Sequence, residues 1–240
     1  MPRNHRVPGN RRMPGNGRRA VAGIAACAAT ALLLSGCKGF LKVETTDESA
    51  EDEATVSETI GDVRFDVPSG DVRVRVQDGA PVSVKRTMEY SGDLPGPSHR
   101  VEGQTLVLQG CGDVCEVNYE VTVPENLAIS GDSASGNVEL DGTAAIDVRS
   151  SSGNVTARKV DGPVRVESAS GTVEVVLAAP NDVLVDAKSG AATLEVPGGP
   201  YRVKAEASSG SSDVTVPDDR GAEHELDVTV ASGSLTVRAA

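Results

Sequence analysis

The chain has 240 residues, of which 38% are hydrophobic but only 2% aromatic, and a formal net charge of −12. Six of its 23 basic residues and none of its 35 acids fall in residues 1–36, which leaves 17 basic against 35 acidic residues, a charge of −18, in the remainder. Such a surface repels nucleic acid and anionic headgroups, which argues against a nucleic-acid partner, and the shortage of aromatic residues calls for a narrow interior of small aliphatic side chains.

In chain order, Arg3, Arg6, Arg11, Arg12, Arg18 and Arg19 precede an unbroken apolar or small run from Ala20 to Leu34. That run is shorter than the ~20 residues a spanning helix needs and fits the apolar region of an export signal. It ends in Leu34-Ser35-Gly36-Cys37, which resembles the lipobox of bacterial lipoproteins. The resemblance implies cleavage between Gly36 and Cys37 and a diacylglyceryl group on the Cys37 thiol. A lipid-carrying Cys37 would hold the protein on the extracytoplasmic face of the cell membrane without spanning it. The Arg18-Arg19 pair leaves twin-arginine export open, and Met13 is an alternative start.

Residues 37–58 follow as a predicted tether. Positions 44–58 carry Glu44, Asp47, Glu48, Glu51, Asp52, Glu53 and Glu58 with no basic residue, a composition that favours disorder. From residue 59 to 240 the pattern becomes an alternation of apolar and charged residues, the mark of half-buried strands. In the less regular part, 59–128, strands are predicted at Val63–Val67, Val72–Val76, Val82–Lys85, Thr105–Leu108 and Val117–Val123. Between the last two lie Cys111 and Cys115. Two cysteines so close in an exported chain point to a disulfide; zinc is the alternative, but only His99 and His224 remain beyond the leader to complete a site.

Residues 129–240 repeat. A small-residue element ending in Ser-Gly returns at Gly136, Gly153, Gly171, Gly190, Gly210 and Gly233, with spacings of 17, 18, 19, 20 and 23 residues. Each interval holds two short alternating strands, for example Val155 with Ala157 and Val164 with Val166. A period near twenty with constant punctuation predicts a solenoid in which each glycine sits at a corner. A single coil buries too little to offset its own ordering, so the coils must stack. The predicted fold is all-β, a parallel β-helix with a less regular N-terminal β part. An antiparallel β-sandwich is the alternative, although it needs no identical corner at every second turn.

The Ser-Gly-x-Val strand pairs, the Val-Pro-Glu-Asn-Leu element at Val123–Leu127 and the irregular strand set before it resemble the bacterial family of "putative adhesins" with β-strand repeats, over roughly residues 60–240. The resemblance implies a right-handed β-helix-like body on an exported protein and supplies no catalytic or binding residues.

Motifs with chemistry are scarce. No phosphate-binding glycine loop and no His-Glu-x-x-His occur; His224-Glu225-Leu226-Asp227 lacks the second histidine. Outward acids such as Asp147, Glu167, Asp186 and Glu195 alternate with Arg149, Arg165 and Arg202 as on a solvated strand face. The nonapeptide of calcium-binding β-rolls is absent, so no metal or other cofactor is expected. Asn154-Val155-Thr156 has the glycosylation pattern, read as accidental and placed inside a strand.

These features predict a non-enzymatic, membrane-anchored lipoprotein that presents its β-helix to a macromolecule, with the cell wall or an envelope protein as partner. Two alternatives stand beside it: an envelope-stress component sensing cationic peptides, and a carbohydrate-active β-helix enzyme using paired carboxylates.

Overall fold

Valine alternating with charge builds strand after strand in the computed structural model, which describes residues 47–240. In chain order these are β1 (Glu48–Val56), β2 (Asp62–Ser69), β3 (Val72–Val76), β4 (Val82–Tyr90), β5 (His99–Glu102), β6 (Thr105–Gln109), β7 (Cys115–Val123) and β8 (Ala128–Ser135). They continue with β9 (Val138–Asp141), β10 (Ala145–Ser152), β11 (Val155–Val160), β12 (Val164–Ser168), β13 (Gly171–Leu177), β14 (Val183–Val196), β15 (Tyr201–Val214) and β16 (His224–Ala239). The predicted export leader, Gly36 and Cys37 lie outside the described residues.

A coil consists of a first leg, a glycine corner, a second leg and a short return. Coils β8/β9, β10/β11 and β12/β13 stack in parallel register, followed by β14, whose two halves form both legs of one coil. Parallel ladders throughout the repeats establish the β-helix-like solenoid and exclude the antiparallel sandwich. The regular stack starts earlier than the sequence pattern indicates. β2/β3 is a full coil turning at Gly70, and β6/β7 makes another on its far side.

Two places depart from chain order. The coil β6/β7 follows β2/β3 in sequence but stacks outside it, and β16 inserts between β14 and β15, in parallel with both. The insertion is possible because the Pro197-Gly198-Gly199-Pro200 return carries the chain past one coil position, which β16 then fills.

Alternation places Val148, Val155, Ala157 and the side chains in register with them on the adjacent coils, Val138, Leu140, Val166, Val173 and Val175, inside, at most 2% exposed, in one continuous core. The core is fitted by size across coils. At the inward position of Phe65 the next coil has Gly131, where even a Cβ would stand 2.5 Å from the Phe65 ring. Near the corners the space narrows and the inward residues are Ser133, Ser150, Ser168 and Ala187, stacked in register. The serines immediately before the corner glycines, such as Ser135, Ser152 and Ser170, are exposed; it is the serine two positions earlier that enters the core.

The corners align along one edge. A Cβ built on Gly136 would stand 2.2 Å from the carbonyl oxygen of Gly70; Gly153 meets Gly136 at 2.0 Å, Gly171 meets Gly153 at 2.1 Å and Gly190 meets Gly171 at 1.9 Å. Gly233 stacks on Gly190, and Gly210 on Gly233, in the exchanged order. All have φ between 108° and 138°, a region that side chains rarely adopt. Beside this column runs a polar ladder. Asp71 receives bonds from the Asn137 amide groups, Asn137 receives them from Asn154, and Asn154 accepts from the Thr172 N–H at 3.0 Å. Asn154 therefore precedes β11 rather than lying inside a strand, and its role is to satisfy backbone groups at the corner.

The predicted tether requires correction. From Glu48 the acidic segment is strand β1, antiparallel to β4, which is itself antiparallel to β7. Composition alone misses this because the neutralising partners are distant in sequence: Lys85 bonds Glu51 and the buried Arg86 bonds Asp52 through both carboxylate oxygens. On the other leg a β5–β6 hairpin ends the stack.

Candidate functional site

The first legs of successive coils present their outward residues in rows. One row reads Arg64, Ser130, Asp147, Arg165, Leu184, Asp227 and Lys204, and the next reads Asp66, Asp132, Arg149, Glu167, Asp186, Thr229 and Glu206. Ion pairs cross between coils: Arg149 to Asp132 (3.9 Å) and Glu167 (3.7 Å), Arg165 to Asp147 (3.9 Å), Arg202 to Glu225 (3.1 Å) and Lys204 to Asp227 (2.6 Å). Exposed as they are, these pairs contribute little individually to stability. Their effect is to fix a regular pattern of charge.

At the start of the first legs this face is hollowed into a groove of about 610 Å³. Its floor at one end is Ala128, Ala145 and Pro163, with Leu184 further along; at the other end stand Asp182, Glu223, Glu225 and Asp227. The hollow exists because Ala128, Ala145 and Pro163 stand at the start of three successive legs with side chains too short to fill it. It runs across several coils at a strand spacing of about 4.8 Å, so it suits an elongated ligand lying along the stack.

Four of the five groove carboxylates are engaged structurally, Glu223 being the exception. Asp147, Glu225 and Asp227 face cations on the adjacent coil, and Asp182 accepts the Glu225 N–H at 2.9 Å. His224 Nδ1 lies 3.5 Å from Asp182 and has no second histidine beside it in the sequence pattern. Among the described residues no cluster of three or more His, Cys, Asp or Glu side chains could hold a metal ion.

The sequence-predicted residues thus fall into three places. The glycine corners form the edge described above. Cys111 and Cys115 are joined by a disulfide, Cα to Cα 5.6 Å, at the turn from β6 to β7, where the other coils have a glycine corner. Gly36 and Cys37 remain outside the described residues. The groove itself is absent from the predicted sites. Its signal is a break in outward polarity: Val183-Leu184-Val185 is continuously apolar, and Ala128, Ala145 and Pro163 stand where a charged residue fits the alternation.

Residues 117–239 match the model of the family described as Toastrack DUF4097. No curated protein matches the chain. Among solved structures, a "putative cell adhesion protein" from Clostridium sporogenes ATCC 15579 is 14% identical, with 80% of this chain and 100% of that chain covered and a TM-score of 0.50. A "putative adhesin" from Bacteroides fragilis NCTC 9343 is 11% identical over 82% of this chain and 99% of that one, with a TM-score of 0.34. The first likeness concerns the fold, and the second is too loose to bear on it.

Proposed function

The chain belongs to the Toastrack DUF4097 family, and from that membership and the grooved face we propose that it is a non-enzymatic lipoprotein, anchored through Cys37 outside the cytoplasm, that binds an extended macromolecule of the envelope. The observation that carries this reading is the groove across stacked coils, whose rows repeat with the strand spacing as a polymer's units do. The description of the Clostridium neighbour as a cell adhesion protein accords with it. The pairing of Asp147, Glu225 and Asp227 with neighbouring cations favours binding over acid–base catalysis, which needs a free acid and base facing one substrate.

Cosedimentation of the purified full chain with isolated bacterial cell walls tests the surface. Arg165→Glu combined with Leu184→Asp is expected to weaken binding about tenfold or more, as for central contacts of an interface. Arg238→Glu, on the second legs, serves as the control. Equal binding by all three proteins removes the groove from the reading. The anchor is tested separately by cell fractionation: Cys37→Ala is expected to move from the membrane fraction to the soluble one, and retention at the membrane would contradict lipidation.

The acids at one end of the groove favour a second reading, in which the ligand is a cationic peptide. Binding of a polylysine probe that falls steeply with salt would select it over the cell wall.

A further inference from the structure

The last coil of the stack is β15, and one side of it is unpaired. β16 covers its other side from Tyr201 to Val214, and the loop at Asp218 and Asp219 covers its first three residues. Among the described residues nothing pairs with the open side from Lys204 to Val214. The interior is uncapped there as well. Val203, Ala205 and Ala207 are only half-buried and Val214 is 38% exposed, whereas Leu226, Val228, Val230 and Val237, their register mates on β16, are all 0% exposed. An open strand of this length is a template for pairing.

The direction of its free backbone groups can be read off. The Tyr201 carbonyl accepts the Asp219 N–H at 2.8 Å and the Val203 N–H donates to Asp218 at 3.0 Å, so both point away from β16. Directions alternate along a strand, and Ala205 and Ala207 therefore point away too. On the second leg the Thr215 N–H donates to the Val237 carbonyl on β16, at 2.9 Å, which leaves Val214, Ser212 and Gly210 directed away.

We propose that this end binds a second copy of itself, β15 against β15, antiparallel about a twofold axis passing between Ser208 and Ser209. That axis sets Ala207 opposite Gly210 and Ala205 opposite Ser212, pairs in which both residues point their free N–H and C=O groups at one another. It also sets Lys204 opposite Asp213, both on the outward side. Of the two shifts by two residues that keep the hydrogen-bond parity, one places Glu206 against Asp213 and the other calls on Val203, whose N–H already bonds Asp218, so the first register is selected. With the twofold axis, two opposed pairs on each side exchange about eight hydrogen bonds.

The bend at Gly210 specifies the partner. A straight peptide can follow one leg only, whereas a second copy lays its second leg on the first leg and its first leg on the second. The opposite end of the stack does not offer the same surface: its outermost strand on the second-leg side, β1, carries Glu48, Glu51, Asp52 and Glu53, a row of like charge that opposes edge pairing. Association is therefore isologous and closes at two copies. An interface of one coil end is small, which places the affinity in the weak, transient range.

The test uses the full chain in detergent. Sedimentation velocity across a concentration series is expected to show a monomer–dimer equilibrium without larger species. Lys204→Glu should weaken dimerisation about tenfold or more through like charge, and adding Asp213→Lys should restore it. Lys204→Cys and Asp213→Cys chains, mixed and mildly oxidised, should cross-link to each other faster than either does to itself or to a Glu51→Cys chain, with the unmutated protein run alongside. A protein that stays monomeric throughout, a dimer indifferent to Lys204→Glu, or cross-linking without preference for the 204–213 pair would overturn the proposal.

Discussion

Gly171→Ala is expected to destabilise the protein by at least about 4 kcal/mol, beyond the range of ordinary substitutions. The added Cβ would sit 2.1 Å from the Gly153 carbonyl oxygen, at a φ of 131°. Neither partner can give way, because both are backbone and each is clamped by the next coil: Gly171 lies between Gly153 and Gly190. Relief at one corner would open the ladder on both sides. Gly79→Ala isolates the conformational part of the effect. Its φ is 66° but nothing lies within 4 Å of the new Cβ, so it should cost only about 1–2 kcal/mol. Urea denaturation of the two variants beside the unmutated protein measures the difference; similar midpoints would mean that the corner glycines are not in contact.

Arg86→Met is expected to be the most damaging change at the opposite end of the stack. The Arg86 side chain is 5% exposed and donates to Asp52, to the Gly96 carbonyl at 3.0 Å and to Ser98 Oγ at 2.8 Å. Ser98 in turn contacts the buried Tyr119 hydroxyl at 2.5 Å. Removing the guanidinium strands these acceptors in the interior. Breaking a buried pair costs about 3–5 kcal/mol, and because Asp52 is partly solvated a figure nearer 2–4 kcal/mol is appropriate.

The pH dependence follows from the same contacts. The hydrogen bond from Arg86 holds the Asp52 carboxyl below its ordinary range despite partial burial. Its stabilising contribution is therefore full above about pH 4 and is lost as the pH falls through the lowered folded value. Burial, and then the charge of Arg86, push His99 below the usual histidine range, so protonating it also works against the fold in acid. The Arg86→Met chain should lose the part of the acid transition that belongs to Asp52, and amides of β1 should exchange with solvent sooner than those of the repeats. Unchanged protection of β1 would count against this account.

The corners and the alternating strands were legible in the sequence because each coil restates the same steric problem, a glycine where backbone meets backbone. Gly70 escaped because Pro68-Ser69 precedes it instead of the small-residue element, although the same contact requires it. β1 escaped because its residues are mostly exposed, so its sequence shows charge where a central strand shows valine. The stacking order could not be read at all. Ser-Gly corners and valine pairs are nearly interchangeable between coils, so local pattern does not distinguish the neighbour of β14 that follows it next in the chain from the one that comes last. The groove depended on a few missing charges, a weak signal until register aligned Ala128, Ala145 and Leu184 on one face.

The wedged position of β16 has a temporal meaning. While the polypeptide is being made, each repeat up to β14 can settle on a coil that has already been made. The stretch that becomes β15 then has little to lie against, since its one full-length neighbour among the described residues, β16, is made after it. Completion of this end of the stack is thus withheld until β16 emerges, and a chain interrupted before His224 would leave β15 with no strand to join.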